Sequence, residues 1–225
     1  MSISVKQQVG QMSSLLKPRL RGVSHQLGFF VAIAAGTWLV ATAGSGLEMT
    51  VTAIYALTLA LMLGVSAAYH RGNHLPAAER RWKRADHAMI FLFVAGTYTP
   101  ICVLAIGGAP GMRLLILVWV GAALGSLRAL LWVRAPRVVA SAFYVALGWL
   151  MVGFWSDVRA ALEPMPLALI VVGGLLYTIG AVVYALRRPD PSPRWFGYHE
   201  VFHSFVIAAS VCHFVVISHI VHLGQ

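Results

Sequence analysis

Six long apolar stretches without Asp, Glu, Lys or Arg, and a seventh broken only by Arg128, make up most of the chain. A helix needs about 20 apolar residues to cross a hydrocarbon core of about 30 Å, and each stretch reaches or nearly reaches that length. Because the stretches are continuously apolar and do not alternate, they favour helices over a β-barrel. The pattern therefore predicts an all-α membrane protein, a bundle of seven transmembrane helices. The predicted spans lie near residues 24–44, 49–70, 86–106, 113–133, 138–156, 165–186 and 199–221.

The N-terminal residues differ from the rest of the chain in being polar and basic. Residues 1–23 are predicted to form an N-terminal segment, and residues 24–225 a single seven-helix domain. The segment has no apolar core of its own, so we do not expect a cleavable signal peptide. The first span is expected to serve as an uncleaved insertion signal, and the short connections leave no room for a soluble domain.

Composition agrees with a membrane protein. The 225 residues are 59% hydrophobic and 11% charged, whereas soluble domains average roughly 45–50% and about 25%. These values exclude a cytosolic globular enzyme and a nucleic-acid module. The net charge is +10, but the Lys and Arg residues are scattered between apolar runs. The expected partners are therefore membrane lipids, with anionic headgroups at the basic loops. No oligomeric state can be read from the sequence.

The basic residues also predict how the bundle is oriented. If seven helices alternate, fifteen of the seventeen Lys and Arg residues fall on one side, and only Arg113 and Arg159 fall on the other. The acidic Glu48 and Glu163 share the side of these two arginines. By the positive-inside rule, the N-terminus is predicted to be cytoplasmic and the C-terminus outside. The short loops fit the inner membrane of a bacterium.

Four ionisable residues are predicted at one level of this bundle. His70 closes the second predicted span, Asp86 opens the third, and His199 and His203 open the seventh. The orientation, which rests on Lys and Arg alone, places all four at the cytoplasmic ends of their spans. Ionisable groups at membrane depth are costly, so their presence there is a hypothesis of function.

The last two histidines have the spacing of a metal site. His199 and His203 are four residues apart and share one face of a helix, as in sites where two imidazoles bind one zinc ion. With Glu200 they also match the zinc-peptidase pattern HExxH, in which the Glu is a general base. The alternative is that Glu200 faces the headgroups and balances Arg194.

Ser66 and Asp86 are the candidates for the chemistry around such a metal. Ser66 lies one turn before His70 and is placed to hydrogen-bond that imidazole or a water at the metal; alternatively, it only packs or bonds the backbone. Asp86 is placed to hold and deprotonate a water near three histidines. A cap of the third helix is a second role for Asp86, and the two roles are compatible.

Two other histidines and two helix features also carry structural predictions. His25, at the cytoplasmic mouth of the first span, is a reserve ligand. His213 falls near the same face as His199 but about 21 Å further along the last helix, at 1.5 Å per residue, which is too far to share one metal, so it is expected to make an internal hydrogen bond. Gly121 and Gly125 predict a close helix contact, and Pro100 predicts a kink.

At four ordered motifs the chain resembles the hemolysin III family, the bacterial branch of the progestin and adipoQ receptor proteins. The motifs are residues 17–25 (KPRLRGVSH), 66–70 (SAAYH), 86–91 (DHAMIF) with 95–100 (AGTYTP), and 199–203 (HEVFH). The resemblance implies zinc held by His70, His199 and His203, with Asp86 positioning the water on the metal and Ser66 nearby. It also removes Glu200 from the catalytic role.

Three functions are compatible with these residues and with the resemblance. The first is a zinc-dependent hydrolase of lipid amides or esters, which the resemblance makes ceramidase-like and links to membrane-lipid homeostasis. The second is a non-enzymatic membrane-stress sensor or regulator, in which the zinc is structural and Asp86 is a fourth ligand. The third is a cytolytic pore-forming protein, as the name hemolysin implies, although no span carries the sustained polar stripe of a pore.

Overall fold

The computed structural model describes residues 18–132 and 135–223, and this part of the chain is helical with no β-strand. Its α-helices are α1 (Val23–Ala41), α2 (Gly46–Arg71), α3 (Pro76–Pro100), α4 (Gly108–Leu131), α5 (Arg137–Gly148), α6 (Trp155–Ala161), α7 (Pro164–Leu186) and α8 (Tyr198–Leu223). A π-helix (Ile101–Ile106) extends α3, and a 3₁₀-helix (Leu150–Phe154) joins α5 to α6. The first seventeen residues of the predicted N-terminal segment lie outside the described part.

Seven helical segments in the described part are long and apolar enough to cross a membrane, which confirms the predicted architecture. The fifth segment combines α5, the 3₁₀-helix and α6, and the other six correspond to single α-helices, with the π-helix added to α3. Most boundaries lie within a few residues of their predicted positions. The third segment is the exception.

Helix α3 begins at Pro76, ten residues before Asp86. The prediction that Asp86 opens and caps the third helix is therefore wrong, since ten residues are more than two helical turns. Pro at the first helical position and Glu79 in the first turn suit a helix start. The prediction missed this helix start because the spans were defined by the absence of charge. Residues 79–84 are mostly charged, so the first turns of α3 were left out.

The helices form a ring in which each neighbour packs against the next. The most extensive contacts are α1 with α2, α2 with α3, α3 with α4, and α7 with α8; α5 joins α3 to α7, and α1 contacts α8. The predicted close contact at Gly125 is present, because a Cβ there would lie 2.3 Å from the ring of Phe91. At Gly121 a Cβ would lie 2.6 Å from the end of Leu147. At Pro100 the α-helix gives way to the π-helix, and proline and π-helical turns are both recognised causes of helix kinks.

Candidate metal centre

Three buried imidazoles meet at one end of the bundle. His70 lies in the last turn of α2, and His199 and His203 lie in the first turns of α8. One nitrogen from each ring lies within 4.8 Å of those of the other two. The Nε2 atoms of His70 and His199 are 3.1 Å apart. The structure thus brings together the three histidines that the sequence placed at one level.

The spacing of these nitrogens suits a metal ion. In a tetrahedral zinc site with Zn–N distances of about 2.0–2.1 Å, two ligand nitrogens lie about 3.3 Å apart. Two imidazole nitrogens that face each other at 3.1 Å need a proton or a cation between them, because their lone pairs would otherwise repel. A set of three neutral imidazoles is also a donor set that zinc favours. The residues therefore fit a zinc ion.

Asp86 lies beside the histidines. Its Oδ2 atom is 3.9 Å from His70 Nε2 and 3.7 Å from His87 Nδ1, and its side chain is only 13% exposed. The Ser66 side chain, which is buried one turn before His70, is within hydrogen-bonding reach of the Asp86 carboxylate. The expected role of Ser66 in orienting His70 or a water stays a prediction, and the partner of its hydroxyl in the structure is Asp86.

Both carboxylate oxygens of Glu200 have hydrogen-bond partners outside the histidine cluster, which does not favour a catalytic role. One carboxylate oxygen accepts a hydrogen bond from the Arg21 guanidinium, and the other accepts the Gly197 N–H at 2.7 Å. The residue is only 2% exposed. The expectation that Glu200 faces the headgroups and balances Arg194 is therefore wrong. Its two bonds tie the start of α8 to the residues before α1.

Residues 18–22, which we call the entry segment, lie over this end of the bundle. The backbone N–H groups of Arg19 and Leu20 donate to the carbonyls of Arg194 and Trp195, at 3.0 and 3.2 Å. Gly22 has a φ of +77°, and a Cβ there would lie 2.7 Å from His70 Cβ. Neither hydropathy nor residue spacing indicates a structural role for this segment, although it lies within residues 17–25, one of the four motifs typical of the hemolysin III family.

His25, the reserve ligand, contacts one of the three converging histidines. Its ring stacks on that of His203, with centroids 3.7 Å apart and planes 6° from parallel. It is not one of the three histidines whose nitrogens converge. His25 therefore contacts a predicted ligand without being one of the converging histidines itself.

A cavity leads from the histidines into the bundle. Its walls near the metal centre include Ser66, Asp86, His199 and His203, and it continues along α8 to His213. The ten residues from His203 to His213 correspond to about 15 Å of helix. Most of the intervening side chains are apolar or aromatic: Met62, Ile90, Phe93, Val94, Phe202 and Val206. The cavity is therefore an apolar channel with a polar, metal-competent end.

Comparisons with known proteins agree with these features. The sequence model described as "Haemolysin-III related" matches residues 13–214. The chain is 27% identical to the hemolysin-3 homolog of Bacillus subtilis (strain 168), over 85% of this chain and 88% of the relative. It is 26% identical to hemolysin-3 of Bacillus cereus, over 91% and 92%.

The similarity extends to a human protein. The chain is 26% identical to the monocyte to macrophage differentiation factor of Homo sapiens, over 73% of this chain and 67% of the relative. A family match that spans nearly all seven helices, together with two bacterial relatives of similar length, identifies the chain. This protein belongs to the hemolysin III family.

Proposed function

We propose that this membrane protein is a zinc-dependent hydrolase of lipid amides or esters, and that it acts in membrane-lipid homeostasis. The observation that carries the proposal is the convergence of His70, His199 and His203 at the end of an apolar cavity, with Asp86 beside them. Three protein ligands leave a fourth position on a tetrahedral ion, as catalytic zinc sites do. Structural zinc sites use all four.

The residues around the histidines have the chemistry that such a reaction needs. A zinc ion bound there would polarise the scissile carbonyl and make water a competent nucleophile at neutral pH. Asp86 would accept a proton from the attacking water at a carboxylate oxygen, and then give it to the departing amine or alcohol. Ser66 would hold the carboxylate in place through its hydroxyl.

The cavity indicates the kind of substrate. Its apolar walls suit the acyl chain of a lipid, and its polar end lies where the amide or ester carbonyl would react. In the predicted orientation this end is on the cytoplasmic side of a bacterial inner membrane. The basic loops at that end would attract anionic headgroups.

The first test is the zinc content per chain of the purified protein in detergent. We expect close to one zinc in the wild type and little in the variant His199→Ala/His203→Ala. His219→Ala is the matched control, because it removes an imidazole from the opposite end of the same helix and leaves the three converging histidines unchanged. A wild type that binds no zinc after reconstitution would overturn the proposal.

The second test separates catalytic zinc from structural zinc with the variant Asp86→Asn. A hydrolase should retain its zinc and lose turnover of ceramides, acyl amides or phospholipids by at least about 100-fold. If Asp86 is a fourth ligand in a structural site, the variant should lose zinc instead; its 3.9 Å distance from His70 Nε2 makes this a specific alternative. A zinc-loaded wild type that cleaves no lipid in a broad screen would contradict the hydrolase.

A further inference from the structure

The end of the cavity away from the metal centre is also polar. His213 and Tyr177 lie in its wall there, and the Tyr177 hydroxyl is 2.9 Å from Ser210 Oγ. Polar groups in the middle of a membrane bundle are costly unless something bonds them. The proposed hydrolysis at Asp86 does not use any of these groups.

The His213 ring offers one nitrogen without a partner in the described part of the chain. Its Nε2 lies 3.4 Å from the backbone carbonyl oxygen of Ile170, which can only accept a hydrogen bond. In a neutral ring Nε2 therefore carries the proton, and Nδ1 is an acceptor. That Nδ1 atom is buried and has no hydrogen-bond partner among the described residues. A group that hydrogen-bonds to this Nδ1 atom must therefore be a hydrogen-bond donor.

The neighbouring Tyr177 hydroxyl also offers a hydrogen-bond acceptor. Ser210 donates its proton to the carbonyl of Val206 at 2.8 Å, so the Tyr177 hydroxyl is the donor in the bond between these two side chains. The lone pairs of the Tyr177 oxygen then remain as acceptors. The imidazole and the phenol thus both offer acceptors at this end of the cavity, where a hydroxyl or an N–H group would satisfy them.

We infer that the far end of the cavity binds a hydroxyl group on the chain of a lipid whose reactive end lies at the metal centre. The inference rests on the proposed function for the direction of the lipid. The distance is suitable: His203 and His213 are about 15 Å apart along α8. In ricinoleate, eleven bonds separate the carboxyl carbon from the hydroxyl-bearing carbon. Each bond advances about 1.25 Å along an extended chain, which gives a reach of roughly 14 Å that the cis double bond shortens slightly. The preferred lipids are therefore acyl chains with a mid-chain hydroxyl.

The test compares binding of ricinoleate and oleate, which differ by that hydroxyl alone. Neither fatty acid is cleaved by an amide or ester hydrolase, so binding is measured without turnover. The zinc-loaded protein is titrated in nanodiscs with each acid, and the ratio of the two affinities is the readout. We expect ricinoleate to bind about tenfold more tightly to the wild type, as one additional buried hydrogen bond permits.

Two variants of His213 test the residue itself. His213→Leu removes the acceptor and should bring the affinity ratio close to one with little change in oleate affinity. His213→Asn keeps an acceptor oxygen near the position of Nδ1 and should restore most of the preference. Zinc content and thermal stability of both variants, compared with the wild type, establish that the metal centre and the bundle are intact.

Each outcome decides a different point. If oleate and ricinoleate bind the wild type equally, the hydroxyl site is wrong and the lipid hydrolase stands. If the preference exists but His213→Leu retains it, His213 is not the acceptor and the inference fails. If neither acid binds, the lipid cavity of the proposed function fails together with the hydroxyl site.

Discussion

The imidazole rings of His25 and His203 stack almost in parallel, with centroids 3.7 Å apart. This contact joins the first turn of α1 to the first turns of α8. The candidate metal centre lies beside it, where His70 at the end of α2 meets His199 and His203. A ring that is stacked on one face has fewer accessible orientations, so the contact restricts the orientation of the imidazole of His203, one of the three proposed metal ligands. Residues that orient ligands in this way commonly change metal affinity when they are removed.

Replacing His25 distinguishes stacking from ligation. His25→Phe keeps an aromatic ring against His203 and removes both nitrogens, whereas His25→Ala removes the ring. We expect His25→Ala to weaken zinc binding by about 10- to 100-fold and His25→Phe to have a much smaller effect. Zinc affinity is measured by competition with a chelator of known affinity. Equal losses in both variants would show that His25 is a ligand.

The pair Arg21 and Glu200 is expected to stabilise the fold through mutual charge compensation. Glu200 is 2% exposed, so Arg21→Met leaves a buried carboxylate without its cation. This change should lower the free energy of unfolding by about 3 kcal/mol. In the Glu200→Gln background, Arg21→Met should cost less, with a coupling on the order of 1–3 kcal/mol. A double-mutant cycle of unfolding in mixed micelles measures it, and additive effects would contradict the interaction.

Gly125 is expected to tolerate a methyl group less well than Gly121. A Cβ at Gly125 would lie 2.3 Å from the ring of Phe91, which is 1% exposed and has little room to move. At Gly121 the nearest atom is the mobile end of Leu147. Gly125→Ala should therefore destabilise the bundle by about 1–3 kcal/mol, and Gly121→Ala by less. Thermal unfolding in detergent checks this order.

Gly46 provides the control for that comparison. It lies at the start of α2, and a Cβ there would meet no atom within 4 Å. Gly46→Ala should leave stability unchanged or raise it slightly, because alanine reduces the freedom of the unfolded chain. A loss at Gly46 as large as that at Gly125 would mean that close packing is not the cause.

The predicted orientation can be tested with reporter fusions. Fifteen of the seventeen basic residues favour a cytoplasmic N-terminus and an external C-terminus. Alkaline phosphatase fused to the C-terminus should be active, because the enzyme requires an oxidising compartment. The same reporter fused after residue 74, between α2 and α3, should be inactive, and the opposite pattern would invert the topology.

The pore-forming alternative predicts a different activity from that of a hydrolase. Leu39, Tyr55 and Phe91 are fully buried in the core of the bundle, and a hydrophilic pore needs a polar lining instead. We therefore expect no dye release when the purified protein is added to or reconstituted in liposomes. Release that increases with protein concentration would support lytic activity.

The sequence was sufficient to predict the helices and the level of the site, because both depend on local hydropathy and on alternation across the membrane. It predicted that His70, Asp86, His199 and His203 would share one end of the bundle, and these residues do meet there. The start of α3 was mispredicted, since charged turns outside the membrane carry no apolar pattern.

The contacts around the site could not be predicted in the same way. Arg21 and Glu200 are 179 residues apart, and only the packing of α1 against α8 brings them together. Likewise, no spacing in the sequence indicates that His25 stacks on His203. These relationships depend on helix rotation and on the ring order of the bundle, neither of which hydropathy specifies.

The distance along the chain between His70 and His199 has a consequence for biosynthesis. The two residues are 129 positions apart, and at about 5–20 residues per second the ribosome needs roughly 6 to 26 s to pass from one to the other. During that interval the nascent protein contains only one of the three converging histidines. If this site holds zinc, as we propose, metal loading follows insertion of the last helix, and a chain that terminates early lacks two of the three proposed ligands.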